Sequence, residues 1–140
     1  MPNTRRPGEN EFRAIWPDTI KWECFAAFPT AVRLAVLVGD PTQAGPYVTR
    51  VRALAGARMM PCTYSEDSTY TVISGVLHVG LGEQFDETRL SAHGPGSLLV
   101  LPSGQAHFLW AKSGEFIAQV SGAGPVALKY LNARDDPRRL

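Results

Sequence analysis

Glycine and proline punctuate this chain so regularly that long helices have little room. There are 13 glycines and 11 prolines, and along most of the chain one falls every eight to twelve positions. A proline inside a helix removes a hydrogen bond, and a glycine there loses backbone freedom; between short strands both simply make turns. The apolar runs between these breakers have strand length. Val32–Val38 reads as a buried strand ending at Gly39-Asp40-Pro41, and Tyr47–Arg52 alternates with period two. Thr69–Ile73 and Val76–Leu81 flank a tight turn at Ser74-Gly75. Ser97–Leu101, closed by Pro102-Ser103-Gly104, then His107–Ala111, Phe116–Val120 and Val126–Leu131 complete a set of about eight strands. The pattern predicts an all-β sandwich or barrel.

With 140 residues, 44% hydrophobic and 19% charged, the chain is one domain with enough apolar side chains for a core. Residues 1–21 read as an irregular arm with one helical turn near Pro17–Lys21. Residues 22–131 read as the barrel, and 132–140 as a charged tail that is frayed or loosely packed. The 14 basic residues against 13 acidic ones give a net charge of +1, which offers nucleic acid or an anionic membrane no electrostatic footprint. Apolar runs such as Leu34–Val38 and Leu98–Leu101 are far shorter than the roughly 20 residues of a membrane span. Arg5 and Arg6 are followed by Glu9, Glu11 and Asp18 rather than by an apolar run, so no signal peptide is expected. Cys24 and Cys62 make no disulfide framework and fit no zinc finger, which points to free thiols in a cytoplasmic setting.

Two stretches carry a resemblance. In the first, Gly56 is followed by five residues, Cys62-Thr63-Tyr64, three residues, Ser68, six residues and Gly75. In the second, Gly96 is followed by five residues, Pro102-Ser103-Gly104, two residues and His107. These frames resemble the paired motifs of the cupin family. The second matches at its Gly, Pro, Gly and His, although Ala111 stands where an Asn is usual. The first keeps the spacing but not the His-x-His and Glu. Trp22, Leu34-Ala35-Val36-Leu37, Gly39-Asp40-Pro41, Gly80-Leu81-Gly82, Phe85-Asp86 and Trp110-Ala111-Lys112 resemble small single-domain bacterial cupins, so the likeness covers roughly residues 20–137. It implies a double-stranded β-helix, a jelly-roll barrel with a pocket inside. It also implies a homodimer built on sheet edges, with the arm before Trp22 as the exchanged or packed element.

In typical cupins the two His, the Glu and the second-motif His hold one divalent metal. Those places are taken here by Cys62, Tyr64, Ser68 and His107, and only His107 keeps its type. Phenol and hydroxyl oxygens ionise too reluctantly to ligate a hard divalent ion well, so the ordinary metal site is expected to be missing. A soft-metal alternative remains. On a regular strand Met60, Cys62 and Tyr64 share one face, and thioether, thiolate and imidazole suit copper, or zinc through Cys62 and His107. The plainer reading makes Met60 and Cys62 pocket wall.

The resemblance places His107, Cys62 and Tyr64 around one common cavity, with Met60 and either Phe108 or Trp110 on its wall. His78 points inward to join them or outward to solvent; the sequence leaves both open. His93 falls in a surface loop before Gly94, Glu66 and Asp67 are turn residues or substitute carboxylates, and Cys24 reads as inert core. A Ser68–His107 pair lacks the orienting acid and oxyanion donors of a nucleophile triad.

Two classes of function follow. One is a metal-independent or atypical-metal enzyme doing proton-transfer chemistry on a small organic molecule, of isomerase, cyclase or lyase type. In it His107 is the acid or base, and Tyr64 and Ser68 are its hydrogen-bonding partners. The other is a non-catalytic binder or degenerate cupin. A metal-dependent, dioxygenase-like cupin is the third reading.

Overall fold

A computed structural model describes residues 11–138. Eleven strands form two antiparallel sheets. The larger runs in the order β1 (Glu23–Cys24), β2 (Val32–Val38), β3 (Gly45–Ala53), β10 (Phe116–Gly124), β5 (Ser68–Ser74), β8 (Leu98–Leu101). The smaller runs β11 (Leu128–Tyr130), β4 (Arg58–Tyr64), β9 (His107–Trp110), β6 (Leu77–Leu81), β7 (Ser91–His93). Consecutive strands repeatedly change sheet, which is how a jelly roll wraps two sheets around one core.

Alternation decides what reaches that core. On β3, Tyr47, Thr49, Val51 and Ala53 are buried while the residues between them are partly exposed. On β5 the inward set is Ser68, Tyr70 and Val72, and on β10 it is Phe116, Ala118 and Val120. Strand registers stack these sets into rows. Val120 pairs with both Thr49 and Tyr70, and Gly122 pairs with both Tyr47 and Ser68.

The smaller sheet has apolar side chains on both faces. His107 and Leu109 point inward with Leu77 and Val79, whereas Phe108 and Trp110 point outward. Phe108 is nonetheless fully buried, because it lies over Gly80 and under Phe85, whose ring centroid is 4.9 Å away. A side chain at position 80 would collide with the Phe108 ring. Arg58 completes this outer layer, its guanidinium 4.1 Å from the Trp110 ring centre and 4.6 Å from that of Phe85.

Several expectations need correction. Cys24 is exposed on the edge strand β1 and is not core. His93 ends strand β7 and bonds Ser91 through its ring, so the segment before Gly94 is not all loop. The tail is held through residue 138: Arg138 donates to the Leu128 carbonyl at 2.8 Å and pairs with Asp136 at 2.9 Å. Strands β1 and β7 were not legible, because two or three residues on a sheet edge leave no periodic signal. Among the described residues, no helix is long and apolar enough to cross a membrane.

Candidate functional site

The two motifs meet at one end of the barrel. The Gly104 amide donates to the Tyr64 carbonyl at 2.9 Å, and the Ser103 hydroxyl donates to the Ser65 carbonyl at 2.7 Å. The Ser103 amide donates to the Asp67 carboxylate at 2.7 Å. Asp67 therefore fastens the second-motif turn to the first-motif loop, and Glu66 remains exposed beside it. These three bonds fix the turn that delivers His107 beside Cys62, its register partner on β4.

His107 is 1% exposed. Its Nδ1 lies 3.0 Å from the Gln105 carbonyl, which can only accept, so Nδ1 carries the proton. Nε2 is left as an acceptor 3.8 Å from Cys62 Sγ. Desolvation lowers the imidazole's pKa, and the bond to Gln105 opposes that only in part. Burial pushes the Cys62 thiol up to about 12. The pair is therefore a neutral thiol beside a neutral imidazole, not a thiolate–imidazolium couple.

Tyr64 packs against the other side of His107, with ring centroids 5.2 Å apart. Its hydroxyl meets that of Tyr70 at 2.5 Å. Burial raises both phenols far above the usual tyrosine range; the neighbouring Tyr70 raises Tyr64 further, and the hydrogen bond from Tyr64 offsets part of the rise at Tyr70. Both are neutral near pH 7. One hydroxyl donates to the other, which leaves the pair a single outward proton.

That proton borders a cavity of about 270 Å³ between the two sheets. Its walls are Phe25, Phe28, Val51, Val120, Val126 and Leu128, its polar floor is Tyr47, Thr49, Tyr64 and Tyr70, and Arg138 stands at one side. Tyr47 fits there because Gly122, in the next strand, has no side chain: a Cβ would approach the Tyr47 hydroxyl to 2.9 Å. The Thr49 hydroxyl is spent on the Val120 carbonyl at 3.3 Å.

The structure thus brings Cys62, Tyr64 and His107 together but opens only Tyr64 to the cavity. Cys62 and His107 lie behind it. Ser68 points inward and is 3% exposed, and its Oγ has no hydrogen-bond partner among the described residues. Met60 is not on the cavity wall. A register shift between Met59 and Cys62, with Pro61 inside it, breaks the period-two stripe on which that expectation rested. Phe108 and Trp110 are not on the wall either, because both face the opposite side of the sheet. His78, in register with Trp110, lies on that outer face too.

Two cavity residues escaped the sequence reading. Tyr70 follows Ser68 by two on one strand, so alternation from Ser68 was the available signal. Tyr47 begins the alternating Tyr47–Arg52 run, but nothing local says that its inward face meets a void.

A metal centre of the cupin kind does not fit these donors. Tyr64 and Cys62 hold their protons more tightly than usual, and Ser68 offers a neutral hydroxyl. Among the described residues no three His, Cys, Asp or Glu side chains converge. Cys62 and His107 supply two donors, short of the four that zinc usually takes.

Solved structures share this architecture. The polyketide cyclase RemF from Streptomyces resistomycificus superposes with a TM-score of 0.73 over 91% of each chain at 16% identity. A sugar phosphate isomerase from a cupin superfamily, from Silicibacter pomeroyi, gives 0.64 over 84% of this chain and 81% of that one, at 16% identity. KdgF from Halomonas sp. gives 0.61 over 82% of this chain and 97% of that one, at 17% identity. The chain is a cupin by fold: an all-β jelly roll with a pocket between its sheets. No protein-family model matches the sequence, and no curated protein matches it.

Proposed function

We propose that this cupin is a metal-independent enzyme of isomerase, cyclase or lyase type, acting on a small organic molecule through proton transfer next to a carbonyl. The observation that carries the reading is the Tyr64–Tyr70 hydroxyl pair, 2.5 Å apart, at the floor of an apolar cavity. A neutral phenol in a largely apolar site is a strong donor to oxygen that becomes negative as an enolate forms, because apolar surroundings strengthen the bond. Losing one such donor costs about 10²- to 10³-fold in rate. The fold neighbours named as a cyclase and an isomerase are compatible with this class.

In this reading Tyr64 and Tyr70 are the catalytic groups: their free proton bonds the enolate oxygen, while water entering the cavity takes the α-proton and returns it to carbon. His107 is a positioning residue whose ring backs Tyr64, and Cys62 fixes its unprotonated Nε2. Ser68 is a secondary polar group beside Tyr70 on the same strand face. The test is deuterium uptake at the α-carbon of simple ketones such as 2-tetralone in heavy water, followed by NMR. Tyr64→Phe and Tyr70→Phe should each slow exchange about a hundredfold, and His107→Gln by less than about tenfold. An equal loss from His107→Gln would make His107 the base, and no exchange above buffer would reject the enzymatic reading.

One observation favours a non-catalytic binder instead: among the described residues lining the cavity there is no carboxylate and no imidazole to take a proton. Metal independence has its own check. Elemental analysis should find no stoichiometric iron, manganese or nickel. The triple change Cys62→His, Tyr64→His and Ser68→Glu should create binding.

The protein is further proposed to be a cytoplasmic homodimer. The arm supports pairing: Phe12 is 97% exposed and Trp16 66%, more apolar surface than an isolated segment gains by showing to water. Light scattering that gives a monomer at every concentration would reject it.

A further inference from the structure

We infer that the cavity selects an uncharged, largely apolar ring compound of one or two fused rings that carries a single carbonyl or hydroxyl oxygen, and that it rejects carboxylates and phosphorylated sugars. This deepens the proposed function and rests on the same site.

Charge is the first argument. The cavity's polar floor is made of hydroxyls, every phenol there is neutral, and among the described residues the only charged one on its wall is Arg138. That guanidinium is already committed: Nε and Nη2 donate to the Asp136 carboxylate at 2.9 and 3.1 Å, and Nη2 donates to the Leu128 carbonyl at 2.8 Å. Among the described residues an anionic ligand would find no unbalanced cation in this apolar space, and an unpaired buried charge is heavily penalised. A phosphate reaching Arg138 would meet only the Nη1 edge of a guanidinium whose charge Asp136 already balances.

Hydrogen-bond arithmetic is the second. The Tyr64–Tyr70 pair consumes one of its two protons internally, and the Thr49 hydroxyl donates to the Val120 carbonyl. Sugars bring several hydroxyls that each require a partner once dehydrated. The floor instead presents one donor from the pair and one from Tyr47, which matches a single oxygen on an otherwise apolar frame.

Size is the third. An enclosed apolar cavity of about 150 Å³ holds benzene. A space of about 270 Å³ lined by Phe25, Phe28, Val120 and Leu128 has room for a bicyclic frame.

The experiment uses three probes of one shape in calorimetric titrations at pH 7.5: 2-acetylnaphthalene, 2-ethylnaphthalene and 2-naphthoate, with glucose 6-phosphate as a fourth. The ketone should bind about five- to tenfold tighter than the hydrocarbon, the effect of one hydrogen bond, and at least about a hundredfold tighter than the carboxylate. Glucose 6-phosphate should show no heat. In the Tyr64→Phe, Tyr70→Phe double variant the ketone's advantage should vanish while the hydrocarbon binds as before, which also shows the cavity intact. Failure of the ketone to bind, or equal binding of the naphthoate or the sugar phosphate, would overturn the ligand class. The readout is binding and not turnover. A protein that binds the ketone but exchanges no α-hydrogen therefore counts against the enzymatic reading while supporting the ligand class.

Discussion

The interior of this barrel has two unlike halves that meet at the ring of Tyr64. On one side Cys62 and His107 sit at 0% and 1% exposure, with no opening to the cavity. On the other side, Tyr47, Thr49 and Tyr70 face about 270 Å³ of open space. The resemblance to cupins points to the first half, where the metal ligands of the family stand. The cavity lies in the second. Of the four places the resemblance assigns to metal ligands, those of Cys62, Tyr64, Ser68 and His107, only that of Tyr64 lines the cavity.

Thiol chemistry separates the halves most widely. At pH 8 a thiol with its pKa near 12 is a thiolate only about one part in ten thousand of the time. A disulfide reagent should therefore label Cys24 alone in the native protein and both thiols in urea. Native labelling of Cys62 would mean that the sealed half opens.

Buried charge gives the next effect. Cys62→Asp should cost about 3–5 kcal/mol in urea denaturation, because no cation stands near enough to pair with it. Ala127→Asp, at an exposed position on the cavity's rim, should change stability by less than about 0.5 kcal/mol. His107→Ala should fall close behind the first, at about 2–4 kcal/mol, since it empties a packed site and leaves the Gln105 carbonyl without its donor.

Acid should then weaken the sealed half. Burial lowers the folded-state pKa of His107, so the unfolded chain takes up a proton there first. The stabilisation from the neutral ring is complete above the unfolded value of about 6.5 and is lost as pH falls through the folded value. Thermal midpoints should drop as pH falls below about 6.5, and His107→Gln should flatten that slope. An unchanged slope in the variant would assign it to another group.

The smallest effect belongs to the boundary. Tyr64→Phe removes one partner of a hydroxyl pair whose other member borders open space, so its cost in stability should stay within about 1 kcal/mol by chemical denaturation. A loss as large as that of His107→Ala would show that the pair is structural.

The sequence carried much of this fold. Val32–Val38 is observed at the predicted bounds, and the Ser74-Gly75 turn lies between β5 and β6. Glycine and proline punctuation is a local signal, since a turn needs only its own backbone. It was the resemblance carried by the two motifs that set His107 near Cys62, and the two stand in register on neighbouring strands of one sheet. The cavity was less legible for a physical reason. Which residues line it depends on a register shift at Pro61 that only the partner strand β9 defines, and on a glycine at 122 that lets Tyr47 lie across the next strand. The outward turn of Phe108, Trp110 and His78 follows from alternation once His107 is placed inward. The burial of Phe108, however, depends on Phe85, which arrives from the loop after β6. Cys24 read as core because its apolar neighbours Trp22 and Phe25 hide the fact that β1 is an edge of two residues.

The strand order also governs how this protein is made. The strand that joins β3 to β5 is β10, and the one that joins β4 to β6 is β9. Both are synthesised after the strands they join. Until about residue 124 emerges, the nascent chain carries β2–β3 and β5–β8 as separate ribbons with open edges. At synthesis rates of roughly 5–20 residues per second that interval lasts several seconds. Unpaired edges rich in Val and Leu invite pairing with other chains. The yield of soluble protein in a cell should therefore respond more to translation speed and to chaperones that shield nascent strands than to the stability of the finished barrel.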